Sequence, residues 1–428
     1  MTRSKLTTND LALLGGPVTF LPPKSIGSLA NPDPTKVLHY SRIFYDQHWY
    51  TNNGPVNRLL ENRLAEWHQV EHCVTFASAF WGISLAIRFL SIPGRCEVIT
   101  PSLTYRRMGE IIASAGMVPR FCDVDSETLA QTAETTRPCI NQDTALILGA
   151  HPTVNCCDAD GLERLSAETG VPLLFDSVES AFETTKGRRV GTFGRAEGFS
   201  LHATKLINGF EGGYLVTNDH ELADRLKLMR GFGIPEEDEI VCFGMNAKLN
   251  EIHAATAMAS LDDLDGLIER NRQRYIAYRE LLDEVDGLTV CLFDETEQTS
   301  FKNILVRLGG EWPLSRDDTL AILQAEGALA RPYYSPALHI HKAGFETRFG
   351  DLPVAERVSQ QYMLLPCGDQ MLLSDIAVLA GLLSFLAAHC GEIGTALDAM
   401  NDLEIHTGYD PTAIRRSPRI KESYEERP

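Results

Sequence analysis

Long hydrophobic runs are absent from this sequence. Its longest strongly apolar stretch, Ile376 to Ala388, is interrupted by Gly381 and Ser384 and falls short of the roughly 20 residues a membrane-spanning helix needs. The N-terminal MTRSKLTTND has no apolar core of the kind that marks a secretory signal. Cysteine pairs at metal-ligand spacing are also missing. The 10 cysteines are scattered singly except for Cys156-Cys157, which predicts reduced thiols and a soluble, cytoplasmic protein. Positive charge is scarce, with 39 Lys and Arg against 58 Asp and Glu for a net charge of −19. Phosphate backbones and anionic lipid surfaces are repelled by such a chain, so neither nucleic acid nor membrane is an expected partner. No G-x-G-x-x-G, G-x-x-x-x-G-K-[ST] or H-E-x-x-H occurs, which argues against a dinucleotide dehydrogenase, a P-loop enzyme and a zinc protease. There is no fixed-period repeat and no low-complexity tract.

What is present is ordinary globular material: 428 residues, 44% hydrophobic and 23% charged, enough for two domains sharing a sizeable core. From about Val56 to Asp219, short β-rich runs alternate with helical patterns, the mark of an α/β sheet with crossover helices. The predicted strands are Cys73–Phe76, Glu97–Thr100, Pro119–Val124, Ala145–Gly149, Leu173–Phe175 and Tyr214–Thr217. Val56, Leu60, Leu64 and Trp67 recur at helical spacing, with Pro55 in the first turn. Asn250 to Val285 reads as one long, bent helix with Gly266 as its weak point. Beyond it a smaller α+β region is expected, with strands Lys302–Leu308 and Ala330–Tyr334 and helices Arg316–Glu326 and Ser374–Ala388. From about Asn401 the mixture of Pro, Arg, Glu and Ser suggests a loosely held tail.

The segment that carries chemistry runs from Leu173 to Thr217. An apolar run ends at Asp176, where a parallel strand delivers a side chain to the carboxyl edge of the sheet, the edge at which open α/β sheets bind ligands. Ser200-Leu201-His202-Ala203-Thr204-Lys205 follows, then the turn Asn208-Gly209-Phe210-Glu211-Gly212-Gly213. A lysine for an imine, an acid for a pyridine nitrogen and hydroxyls for a phosphate suit pyridoxal 5'-phosphate.

With those residues in view, the chain resembles the DegT/StrS-type aminotransferases of fold type I. The resemblance runs from Leu13-Leu14-Gly15-Gly16-Pro17 to about Leu386. It includes Tyr50-Thr51-Asn52-Asn53-Gly54-Pro55, Phe121-Cys122-Asp123-Val124-Asp125, Gly244-Met245-Asn246-Ala247-Lys248 and Arg331-Pro332-Tyr333-Tyr334-Ser335-Pro336. It implies a three-layer α/β domain with a mostly parallel sheet over residues 1–255, a smaller α+β domain over 256–400, and the tail 401–428. It also implies roles. Lys205 corresponds to the Schiff-base lysine and Asp176 to the partner of the pyridine nitrogen. Ser200 and the backbone of Ala79-Phe80, at the start of an apolar helix, correspond to the phosphate site. Tyr105 corresponds to the aromatic stacked on the cofactor ring, and Glu179 to a position near the ring hydroxyl. Asn246 corresponds to an asparagine reaching the phosphate of a neighbouring subunit, which implies a homodimer with shared sites. Each has a plain structural alternative: a surface charge for Lys205, a helix cap for Asp176 and for Asn246, core for Phe80, Trp81 and Tyr105. His202 reads as an orienting or packing residue.

Two departures from the family pattern stand out. Glu179 replaces the usual Gln or His, and an ionised carboxylate there would repel a phenolate, so it is protonated, turned away or otherwise employed. Arg106-Arg107 follows Tyr105 in place of small apolar residues, either to hold an anionic substrate or to neutralise nearby acids. His151 with Cys156-Cys157 lacks the partners for a tetrahedral metal site. The expected activity is transfer of an amino group from glutamate or glutamine to a keto group, above all of a nucleotide-linked sugar, in aminosugar or secondary-metabolite biosynthesis. A cyclitol or other carbonyl acceptor, or a dehydratase or lyase on the same scaffold, is the alternative. The presence of Lys205 favours transamination, and Lys205 with Asp176 speaks against a non-catalytic regulator.

Overall fold

The computed structural model describes residues 5–235 and 239–407. Its centre is a sheet built from β1 (His72–Phe76), β2 (Glu97–Pro101), β3 (Val118–Cys122), β4 (Thr144–Ala150), β5 (Leu173–Asp176), β6 (Ala196–Ser200) and β7 (Gly213–Thr217). The order across the sheet is β3-β2-β4-β5-β6-β7-β1, with the short strand Arg348–Phe349 outside β3. All pairings are parallel except those of β7, which runs antiparallel to both neighbours.

Side chains alternate across this sheet with the two-residue period of a strand. Leu146, Leu148, Leu174 and Leu215 pack on one face with Ile83, Ile87 and Met108. Ile147, Leu173, Phe175, Phe199 and Tyr214 pack on the other with Val56, Leu60 and Leu64. Both faces are therefore covered by helices, as a parallel sheet requires. The helix predicted around Val56 spans Pro55–His68, and its exposed N-terminal N–H groups are satisfied by Glu251, whose Oε2 accepts from Val56 N at 2.7 Å.

A second, antiparallel sheet orders Leu288–Val290, Ile304–Leu308, Tyr362–Leu365 and Arg331–Pro332. Two expectations change here. The long helix is two helices, Glu251–Leu261 and Leu264–Leu282, and the break falls at Asp262-Asp263 rather than Gly266. The reason lies in partners: Asp262 holds Arg63 and Tyr40, and Asp263 holds Lys36 at 2.5 Å, so the chain turns where both carboxylates reach outward. The strand expected over Ala330–Tyr334 shrinks to Arg331–Pro332, because Pro332 has no N–H to donate and Tyr334 turns to a φ of 43°. The preceding residues Ala328–Leu329 pair instead with Lys24–Ser25. Nearby, buried Glu326 accepts from Ala12 N, Thr19 N and Thr19 Oγ1, tying the N-terminal arm to the end of helix Arg316–Ala325.

Helix Cys390–Thr407 extends into the expected tail, and the rest of the tail lies outside the described residues. Among the described residues no single helix is long and apolar enough to cross a membrane.

Candidate active site

The end of β5 places Asp176 at the carboxyl edge of the sheet, 7% exposed. Its Oδ1 accepts from Val178 N at 3.2 Å, and the chain then makes turns rather than a helix, so the capping alternative does not apply. Burial pushes the Asp176 carboxyl up to about 6, against the opposing pull of the Val178 N–H and Lys205. A buried acid with one backbone donor is short of a cationic partner.

On the neighbouring strand, β6 ends at Ser200 and leads into a compact loop. His202 Nδ1 lies 2.8 Å from Thr204 Oγ1, and Lys205 N donates to His202 O at 2.8 Å. Leu201 N donates to Gly212 O and Gly209 N to Leu201 O, so the loop closes on itself and lifts Lys205 over the sheet edge. His202 thereby orients the loop, as expected. Lys205 is no surface charge: its side chain is 22% exposed, and Nζ lies 2.5 Å from Glu179 Oε1. Glu179 Oε2 in turn lies 2.6 Å from Lys302 Nζ and 3.2 Å from Asn303 Nδ2.

Glu179 is thus ionised and otherwise employed. Burial opposes its charge, but the Lys205 and Lys302 ammoniums outweigh burial and hold its carboxyl far below the usual range. For Lys205, burial favours the neutral amine and Glu179 reverses that, leaving the ammonium strengthened. Lys302, more deeply buried, ends with its ammonium weakened.

These groups open on a cavity of about 380 Å³. Tyr105, Glu179 and Lys205 line it, as do Arg106, Arg331 and His341. Tyr105 is 46% exposed, so it is not core. Arg106 joins the cavity wall, whereas Arg107 turns to Glu110 at 2.7 Å, the surface pairing that was the alternative for both. Lys302, Asn303, Thr153 and Tyr334 also line the cavity and were not singled out from sequence. The available signal was Lys302-Asn303, two polar residues opening the otherwise apolar strand run Ile304–Leu308.

Ser200, Ala79 and Phe80 meet at a different point. Gly213 pairs with Ser200 across β6 and β7, and a Cβ on Gly213 would stand 2.2 Å from Ala79 N. The N-terminus of helix Ala79–Leu90 and Ser200 therefore both adjoin Gly213, a residue without a side chain, an arrangement suited to a small anion. Ser78 caps this helix, its Oγ accepting from Phe80 N at 3.3 Å. Trp81 is 38% exposed and is not core. Asn246 is not among the residues lining the cavity and is exposed, with Oδ1 accepting from Lys248 Nζ at 2.8 Å. It does not cap the following helix; Asn250 does, accepting from His253 N at 3.0 Å. His151 stacks on Phe175 with 5.4 Å between ring centroids and accepts from Cys157 N through Nδ1.

A profile of the DegT/DnrJ/EryC1/StrS aminotransferase family matches residues 36–383. The chain belongs to that family. This aminotransferase is 25% identical over 336 residues to the dTDP-4-amino-4,6-dideoxy-D-glucose transaminase of Shigella dysenteriae, spanning 78% of this chain and 91% of that protein. It is 27% identical over 341 residues to the GDP-perosamine synthase of Vibrio cholerae, spanning 76% and 90%. Its fold matches the crystal structure of DesI in the presence of its TDP-sugar product, with a TM-score of 0.86 and 31% identity over 92% of this chain and all of that one. The family's enzymes depend on pyridoxal phosphate, and the residues of this aminotransferase fit that group. Asp176 is a buried acid close enough to Lys205 to feel its charge, and the helix start beside Gly213 is suited to an anion.

Proposed function

We propose that this aminotransferase holds pyridoxal 5'-phosphate on Lys205 and moves an amino group from glutamate or glutamine to the keto group of a nucleotide-linked sugar. The observation that carries the reading is Lys205 projecting into the cavity with buried Asp176 behind it at the sheet edge. The relatives, a dTDP-aminosugar transaminase and a GDP-perosamine synthase, support the substrate class.

When bound, the cofactor supplies an electron sink for the carbon that carries the amine. The chain's own residues do the rest. Asp176 holds a proton on the pyridine nitrogen, and its buried carboxylate gains the cation it lacks. Ser200 Oγ and the N–H groups at Ala79-Phe80 bind the phosphate. Tyr105, in the cavity wall, would cover the ring. Lys205 Nζ, once free, would carry the proton from the carbon that bears the amine to the carbon on the other side of that nitrogen, with Glu179 keeping it in place. The spectrum of the purified protein tests this: a visible imine band should bleach on addition of glutamate. A band that stays unchanged with both glutamate and glutamine rejects the assigned donors.

The same reading takes residues 1–255 as the cofactor domain, 256–400 as the smaller domain, and the active unit as a cytoplasmic homodimer. Reduced cysteines support the location. An exposed apolar surface of Phe210, Phe232, Ile240, Val241 and Phe243 surrounds the Asn246 loop and supports the dimer, because a lone chain leaves it in water. Asn246 then reaches the partner's phosphate. Mixing inactive Lys205→Ala chains with inactive Asn246→Asp chains should restore activity on subunit exchange, since each heterodimer has one site free of both defects. Exchange without recovered activity rules out shared sites.

A further inference from the structure

Lys302 is a buried ammonium in an acidic protein, and the cofactor chemistry above leaves it without a task. Its side chain is 4% exposed. It stands just before the strand Ile304–Leu308 of the second sheet, while Glu179 lies just after β5 of the first. Its Nζ lies 2.6 Å from Glu179 Oε2, with Val178 O the next acceptor at 3.5 Å. Glu179 uses its other oxygen for Lys205 Nζ. One carboxylate therefore bridges two ammoniums, one of them the reactive amine. Once Lys205 Nζ is bonded to the cofactor, Lys302 is the ammonium still bound to Glu179.

We propose that Lys302 is a positioning residue that neutralises Glu179, so that a carboxylate can stand against the Lys205 nitrogen without fixing a proton on it. The proposal rests on the reading that Lys205 carries the cofactor. A lone carboxylate beside that nitrogen would favour its protonated form, and a lone buried ammonium would drive the proton off. The pair together presents nearly no net charge. The other titratable groups facing it are Asp176 and Tyr105 beside Lys205, Glu183 and Cys367 beside Lys302, and Tyr333 and Tyr334 beside Glu179. His151 stands behind Asp176, and Arg106, Arg331 and His341 line the cavity. Glu183 is engaged elsewhere, accepting from Ser300 Oγ at 2.8 Å and Ser300 N at 3.3 Å.

The test is a pH titration of the imine absorbance of the holoenzyme, which needs no turnover. Lys302→Met should raise the midpoint, and Glu179→Gln should lower it, each by about one pH unit or more, a tenfold change in proton affinity. The double variant should return close to wild type, and Lys302→Arg should keep the wild-type midpoint. If Lys302→Met lowers thermal stability but leaves the midpoint unmoved, Lys302 is only a structural tie and the proposal is overturned. Should Lys302→Met yield no soluble protein, Glu179→Gln still decides, because an unmoved or raised midpoint overturns the proposal. Failure of the underlying reading looks different: borohydride-treated wild type then carries no cofactor mass on Lys205.

Discussion

Lys205→Ala is expected to lower turnover by ~10⁴-fold or more, since it removes both the covalent attachment point and the group that moves the proton. The fold should survive. Glu179 keeps Lys302 at 2.6 Å and Asn303 at 3.2 Å, so no buried charge is stranded by the loss of one ammonium. The loop around position 205 is held by backbone bonds among Leu201, Ala203, Gly209, Phe210 and Gly212 rather than by the lysine side chain. Borohydride reduction followed by peptide mass mapping checks the chemistry directly. The cofactor should be fixed on Lys205 in the wild type and on nothing in the variant. A label on another residue, or turnover within tenfold of wild type, removes Lys205 from its role.

Asp176→Asn should retain some cofactor through the phosphate contacts, yet lose nearly all transamination, because an amide cannot keep the pyridine nitrogen protonated. Turnover within a few-fold of wild type, less than about 1.4 kcal/mol of barrier, contradicts the assignment. The same substitution should change stability in the opposite direction when the cofactor is stripped. The carboxyl has a folded value of about 6 against an ordinary 3.8. The folded protein therefore binds the proton more tightly than the unfolded chain, and stability falls as pH rises between those two values. Above pH 6 the ionised acid carries its full burial penalty, on the order of 2–3 kcal/mol, and Asn avoids it. Cofactor-free Asp176→Asn should therefore melt higher than cofactor-free wild type at pH 7.5, with the difference shrinking towards pH 4. A lower melting temperature at pH 7.5 means that Asp176 already has a cationic partner without the cofactor.

The candidate site was legible locally because its parts are close in sequence. Asp176 ends a strand, and Ser200 to Lys205 forms one loop, so a single crossover brings acid and amine to one sheet edge. The strands of the large sheet were legible for a related reason: a strand buried on both faces is a short apolar run bounded by turn residues, whatever its neighbours are. Helix ends were less so. The break at Asp262-Asp263 depends on Arg63, Tyr40 and Lys36 from two earlier helices, partners no local pattern announces. The strand ending at Pro332 could have been shortened on the proline alone.

Sequence by itself determined the α/β class and the place of Asp176 at a strand end, with Lys205 following soon after the strand that ends at Ser200. The family resemblance rested on those same local motifs. Only the tertiary structure decided what Glu179 does, since its two ammoniums come from a loop 26 residues on and from a residue 123 positions away, just before a strand of the second sheet. It also showed that Arg106 faces the cavity while Arg107 turns to Glu110. The physical reason is common to both. Strand and helix formation follow from the local order of apolar residues and turn formers, but the ionisation and direction of a charged side chain follow from the charges that long-range folding places beside it.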